Sequence, residues 1–193
     1  MTDPAQLSPR LAELVQYANT ARGELEAFVQ GVPAALHGTR ADVDRWTIAE
    51  HLEHLALIED SIGRLISSMA KQLRADNALE TEQTSMMGSL DQYQLTQTTM
   101  KLSAPEPYRP TGTLTSAEAL EKLRAIRVRV LEGVSKANGI DLSKASFAHP
   151  FFGPLDGYQW LLLVGQHEWR HLNQMKEDVQ KLTAPPSAAP QVS

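Results

Sequence analysis

Apolar residues recur at three- and four-residue spacing in four separate stretches of the chain, the period that gathers them on one face of a helix. The first stretch predicts a helix from Pro9 to about Leu36, with Leu7, Leu11, Leu14, Ala18, Leu25, Phe28 and Val32 as its stripe; Gly38 and the polar residues up to Arg45 end it. The second runs from about Thr47 to Ala75 and carries Ile48, Leu52, Leu55, Ile62, Ile66, Met69 and Leu73. Thr47 with Glu50 three residues on forms a capping-box signature, which would satisfy amide donors that a helix start leaves without partners. The third begins near Thr115 or Ser116, with Ser116 offering a cap; Ala117, Leu120, Leu123, Val130 and Val134 should face inward, and Asn138-Gly139 ends it. The fourth, from about Asp156 to Leu182, sets Trp160, Val164, His167, His171, Met175 and Leu182 on one stripe. No alternating apolar run predicts a strand.

Between the second and third helices lies a long connection, about Asp76 to Thr115. Met86-Met87-Gly88 suggests a short helical turn there, and Pro105, Pro107 and Pro110 favour extended chain. So long a link is unusual between packed helices, but it suits a bundle whose second and third helices run parallel. The expectation is all-α: a single four-helix-bundle domain over residues 1–183 with a long crossover, followed by a disordered, proline-containing tail over 184–193. The loop before the fourth helix, His149-Pro150-Phe151-Phe152-Gly153-Pro154, is rich in turn formers and aromatics.

Composition narrows the chemistry. A chain of 193 residues, 42% hydrophobic and 21% charged, can bury a sizeable core. The net charge of −5 and the lack of a Lys/Arg cluster argue against nucleic acid as a partner, since phosphate binding needs a concentrated basic surface. With no cysteine, disulfides, thiolate ligands and cysteine nucleophiles are excluded, and a metal would have to sit on His, Asp or Glu. The N-terminal residues lack a signal-peptide pattern, and the longest apolar run, around Trp160 to Val164, is too short to span a bilayer. No membrane partner and a cytoplasmic location are the expectations.

The histidines carry the candidate chemistry. His167 and His171 stand one turn apart on the stripe that faces the core, where two unpartnered imidazoles would be costly and a shared metal ion would offset that cost. The same spacing also occurs in histidines that are merely hydrogen-bonded. A third imidazole is available on the second helix, from His51 or His54. Periodicity does not choose between them and mildly prefers His51, which lies nearer the centre of the stripe. Either would complete three imidazoles from two helices, with coordination positions left open as in catalytic sites.

Three stretches in this order resemble the DinB-like superfamily over nearly the whole chain, to about Val179. They are Trp46-Thr47 followed by Glu50 and His54-Leu55; the His149–Gly153 loop; and Gln159-Trp160 leading to His167, Arg170-His171 and Gln174. The resemblance implies a four-helix bundle with the middle helices joined by a long crossover, and a metal held by one histidine of the second helix and two of the fourth. The family's first histidine lies eight residues after the tryptophan, which is His54 here; His54, His167 and His171 are then the ligands, and His51 a neighbour lining the pocket. Many members are dimers, and some use low-molecular-weight thiols such as bacillithiol or mycothiol.

The function expected on these grounds is that of a metal-dependent enzyme acting on a small molecule, a thiol-dependent transferase or a hydrolase. The alternatives are a non-catalytic metal- or ligand-binding protein, a dimeric stress-response scaffold, or a bundle without metal. Three imidazoles discriminate poorly among metals; zinc comes first, with nickel or iron behind it. Around the ligands, Arg170 could pair with an anionic substrate or form a structural ion pair. Gln174 could hold an imidazole tautomer or tie helices together, and His149 could approach the site from its loop. Glu50 reads most simply as part of the capping box, and Trp46, Trp160, Trp169 and Phe151 as packing.

Overall fold

All four apolar stripes fold as helices in the computed structural model of the chain, which describes residues 7–99 and 102–185. They are α1 (Pro9–Gly31), α2 (Ile48–Ala75), α3 (Ser116–Lys136) and α4 (Gly157–Thr183). α1 is shorter than its periodicity suggests. Pro33 disfavours helical backbone at the residue before it, so Val32 turns extended and the chain resumes only as a single 3-10 turn, Ala34–Leu36. α2 starts at the expected capping box: the Glu50 amide donates to Thr47 Oγ1 at 3.2 Å and the Thr47 amide to Glu50 Oε2 at 2.8 Å. For α3 the cap is Thr115 rather than Ser116, because Glu118 closes a box with Thr115 alone. That register leaves Ala117 exposed and buries Ala119 instead.

α2 and α3 run parallel, as the long crossover requires. Contacts rise together along both: Glu59 against Arg127, Gly63 against Val130, Ser67 against Gly133, and Arg74 donating to the Lys136 carbonyl. A methyl group at Gly63 would meet the Val130 side chain at 2.6 Å, so the two helices approach closely only because that position has no side chain. α1 packs chiefly on α4, and α2 on both α3 and α4, whereas the consecutive helices α1 and α2 scarcely touch. α1 and α2 therefore sit across a diagonal of the bundle, and the α2–α4 contact that brings the histidines together spans over a hundred residues of chain.

The core is aliphatic, with Leu11, Leu14, Leu25, Leu52, Ile66, Leu123, Leu162 and Leu172 fully buried. Each such side chain contributes roughly 1.5–3 kcal/mol relative to exposure. One polar layer interrupts it. Arg22 of α1, Glu59 of α2, Arg127 of α3 and Glu168 of α4 are all buried, and each guanidinium bonds both carboxylates: Arg22 Nη2 to Glu59 Oε2 at 2.6 Å, Arg22 Nε to Glu168 Oε1 at 2.8 Å, and Arg127 Nη2 to Glu168 Oε1 at 3.1 Å, with Arg127 Nε on Glu59 Oε1.

The aromatic loop before α4 contains two strands that the sequence did not signal. β1 (Ser146–His149) pairs antiparallel with β2 (Gly153–Asp156), and Gly153 takes the left-handed conformation (φ +73°) at the turn. These strands are four residues long with Ser146, Phe147 and Ala148 all exposed, so no alternation of burial was available to read. The indole of Trp160 donates to the Phe147 carbonyl at 3.3 Å and seats the hairpin on α4. The crossover is tied to α4 at several points: Arg170 donates to the Gln97 carbonyl, Asn173 to the Thr96 carbonyl at 3.0 Å, and Thr98 to Glu177. No helix among the described residues is long and apolar enough to cross a membrane. The expected disorder of the tail falls, from residue 186 onward, outside the described residues.

Candidate metal centre

α2 and α4 bring four imidazoles into one group, with His51, His54 and His171 buried and His167 half-buried. His54, His167 and His171 each turn one ring nitrogen to a common point, and these nitrogens all lie within 4.8 Å of one another. Nε2 of His167 is 3.3 Å from Nε2 of His54 and 3.0 Å from Nε2 of His171. His51, which periodicity preferred over His54, does not join this trio; its ring lies behind His171, with the two Nδ1 atoms 2.8 Å apart. One helical turn separates the two roles: both histidines line the cavity beside α4, as expected of His51 as a neighbour, but only His54 turns a ring nitrogen to the common point.

Burial sets the protonation. It pushes His54 down to about 4, against the pull of the Tyr108 carbonyl. It likewise drives His167 and His171 well below the usual histidine range, with the neighbouring imidazoles adding to the effect, and lowers His51. All four are neutral near pH 7. A carbonyl can only accept, so the 2.6 Å contact between His54 Nδ1 and the Tyr108 carbonyl places the single proton of that ring on Nδ1 and leaves Nε2 bare. Of the three converging nitrogens, His167 Nε2 could donate to one of the other two at most. The cluster thus has more lone pairs than protons to share among them.

That donor set fits a divalent cation. Ligands about 2.0–2.1 Å from a tetrahedral metal lie roughly 3.3 Å from each other, close to the 3.0 and 3.3 Å seen here. Three neutral imidazoles would leave the full metal charge and at least one open position.

The cluster forms part of the wall of a cavity of about 990 Å³, lined also by Trp46, Tyr108, Phe151, Phe152, Trp160 and Arg109. Trp46 packs over the histidines, its ring 4.8 Å from that of His54 and stacked 6.0 Å from that of His171. His149 does line this cavity. It stacks on Phe152 at 4.3 Å, accepts the Phe151 amide at Nδ1, and is held neutral by burial, with its pKa lowered to about 4. Arg170 lines it too while donating to the crossover. Gln174 lines it as well; its main-chain carbonyl accepts from Arg45 at 3.1 Å, and among the described residues its side chain makes no hydrogen bond to an imidazole. Glu50 is engaged in the capping box and with the guanidinium of Arg40.

Three groups escaped the sequence. Tyr108 acts through its backbone, which no residue pattern reports. Asp178 lies two turns after His171 on the same helix face and is buried beside His51, and Arg45 reaches it from the loop before α2, Nε to Oδ1 at 2.6 Å. The i+7 spacing was the one available signal for Asp178.

The chain is similar to YuaE, an uncharacterized protein of Bacillus subtilis (strain 168), with 25% identity over 165 residues that cover 85% of this chain and 96% of YuaE. Its fold is similar to the crystal structure of TT2238, described as a four-helix bundle protein, with a TM-score of 0.59, 23% identity, and 86% of this chain and 98% of that one covered. The family model of the DinB superfamily matches residues 17–175, from the middle of α1 through both histidine helices to the turn after His171, and the chain belongs to the DinB superfamily.

Proposed function

We propose that His54, His167 and His171 hold one divalent metal ion, zinc in the first place, and that the protein is a metal-dependent enzyme acting on a small molecule, as a thiol-dependent transferase or a hydrolase. The observation that carries this is the convergence of three neutral ring nitrogens, from buried His54 and His171 and half-buried His167, on the wall of a cavity large enough for a small-molecule substrate. A bound ion would acidify a water molecule or hold a thiolate or carboxylate at its open position. The chain's own residues would do the rest. Phe151, Phe152 and Trp160 offer apolar surface to a substrate, and the guanidinium of Arg109 favours an anionic group on it. With Nδ1 of His149 accepting the Phe151 amide, its Nε2–H is left as a donor. Trp46 covers the imidazoles and limits water around them.

A second reading, ligand binding without turnover, is favoured by one observation. Of the two carboxylates lining the cavity, Glu50 is committed to its cap and to Arg40, so it is not a ready base. The two readings separate in one experiment. Purified protein is analysed for stoichiometric metal, then assayed for conjugation of cellular thiols to an electrophile and for ester hydrolysis. Metal-dependent turnover lost in His54→Ala, His167→Ala and His171→Ala is expected. Activity unchanged in all three variants would refute the enzyme, and saturable binding with no turnover would favour the second reading.

A further inference from the structure

We propose that His51 and Asp178 are positioning residues that fix the tautomer of His171, so that its Nε2 is bare and available as a ligand. This rests on the metal centre proposed above.

The geometry is a chain of three side chains on two helices. Nδ1 of His171 and Nδ1 of His51 are 2.8 Å apart in a buried setting, so one proton lies between them. Two neutral arrangements satisfy that contact, and they have opposite consequences. With the proton on His171 Nδ1, His171 Nε2 is bare and can ligate. With it on His51 Nδ1, His171 carries its proton on Nε2, aimed at His167, and cannot ligate.

The far side of His51 decides between them. Its Nε2 is 3.9 Å from Asp178 Oδ2, longer than a hydrogen bond, yet both atoms are buried and neither has another hydrogen-bond partner among the described residues. A bare nitrogen facing a carboxylate oxygen is repelled, whereas an N–H is attracted. Asp178 is kept as a carboxylate by the Arg45 guanidinium, which donates to Oδ1 at 2.6 Å. His51 therefore carries its proton on Nε2, presents a bare Nδ1 to His171, and takes up the His171 Nδ1–H. The Tyr108 carbonyl does the same for His54. Each of these two ligands thus donates its outer N–H to a fixed acceptor, the arrangement by which outer groups orient metal-binding histidines.

Asp178→Asn tests the chain with almost no change of shape. Arg45 can only donate, so it holds the amide oxygen at the Oδ1 position and turns the amide NH2 toward His51 Nε2. That nitrogen must then be bare, His51 shifts its proton to Nδ1, and His171 is left with an Nε2–H. An Asp-to-Asn change beside a catalytic histidine is known to act this way, through the wrong tautomer. In the metal-free protein, long-range nitrogen–carbon NMR correlations of the histidine rings are expected to report Nδ1–H at His171 in the wild type and Nε2–H in Asp178→Asn. Cobalt(II) and zinc titrations are expected to show affinity lower by about 10–100-fold in the variant. The conservative variant His51→Asn, whose amide oxygen replaces the Nδ1 acceptor, is expected to retain the wild-type tautomer at His171 and most of the affinity, whereas His51→Leu loses both. An unchanged His171 tautomer in both Asp178→Asn and His51→Leu would overturn the proposal. Should the wild type bind no metal, the centre itself fails, but the tautomer measured in metal-free protein still decides the role of His51 and Asp178.

Discussion

Two buried polar centres share this bundle, and they are built on opposite plans. The Arg22–Glu59–Arg127–Glu168 layer takes one residue from each helix and balances two positive charges with two negative ones, each guanidinium shared by both carboxylates. The histidine group takes its members from only two helices, carries no charge near neutral pH, and turns an excess of lone pairs toward a cavity. Charge balanced within the protein holds the four helices in register; lone pairs left over at a cavity wall need something from outside. The difference separates a structural polar core from a candidate site more clearly than burial does, since the ionic layer and all of the histidine group but the half-buried His167 are buried.

The comparison is most directly broken in the ionic layer. Glu168→Ala leaves two buried guanidiniums with one carboxylate between them, and a loss of about 3–5 kcal/mol is expected in urea denaturation, the same with or without metal. A loss that metal fully reverses would show that the two centres are not separate.

Acid probes the histidines instead. His54 has a folded-state pKa of about 4, below the unfolded value of about 6.5, so protonation favours the unfolded chain. Its contribution is complete above pH 6.5 and is lost as pH falls toward 4, by about 3 kcal/mol in the metal-free protein. Denaturation midpoints measured across that window are expected to fall steeply in the wild type and less steeply in His54→Gln; parallel curves would argue against a buried neutral His54.

Metal addition sharpens the contrast from the other side. Zinc held at 100 times its dissociation constant is expected to stabilise the wild type by about 2.7 kcal/mol and to do nothing for His171→Ala, as read by melting with and without chelator. The smallest effect concerns the start of α2. Thr47→Ala removes the capping box one turn before His51, and a loss of about 1 kcal/mol is expected in the same denaturation assay, with the ionic layer intact.

What could be read in the sequence was what a single helix reveals about itself. The stripes of α2 and α4, the Thr47–Glu50 box and the parallel middle helices all come from spacing within one segment or the length of one link. The choice of His54 over His51 came from the family resemblance, not from periodicity, because both lie on the same face of α2. The ionic layer was invisible for a related reason. Arg22, Glu59, Arg127 and Glu168 each look like ordinary surface charges, and only the meeting of four helices pairs them. Asp178 and Arg45 share that blindness, and the hairpin at residues 146–156 is held by backbone pairing with no buried pattern to announce it.

His54 is oriented by a main-chain oxygen of the crossover, not by a side chain. Any amino acid at position 108 can supply that oxygen, provided the loop keeps its course. The segment that walls the cavity can therefore exchange its side chains, and with them the molecules it admits, while the imidazole beneath keeps its aim. In such a scaffold, selectivity can diverge without rebuilding the chemistry underneath.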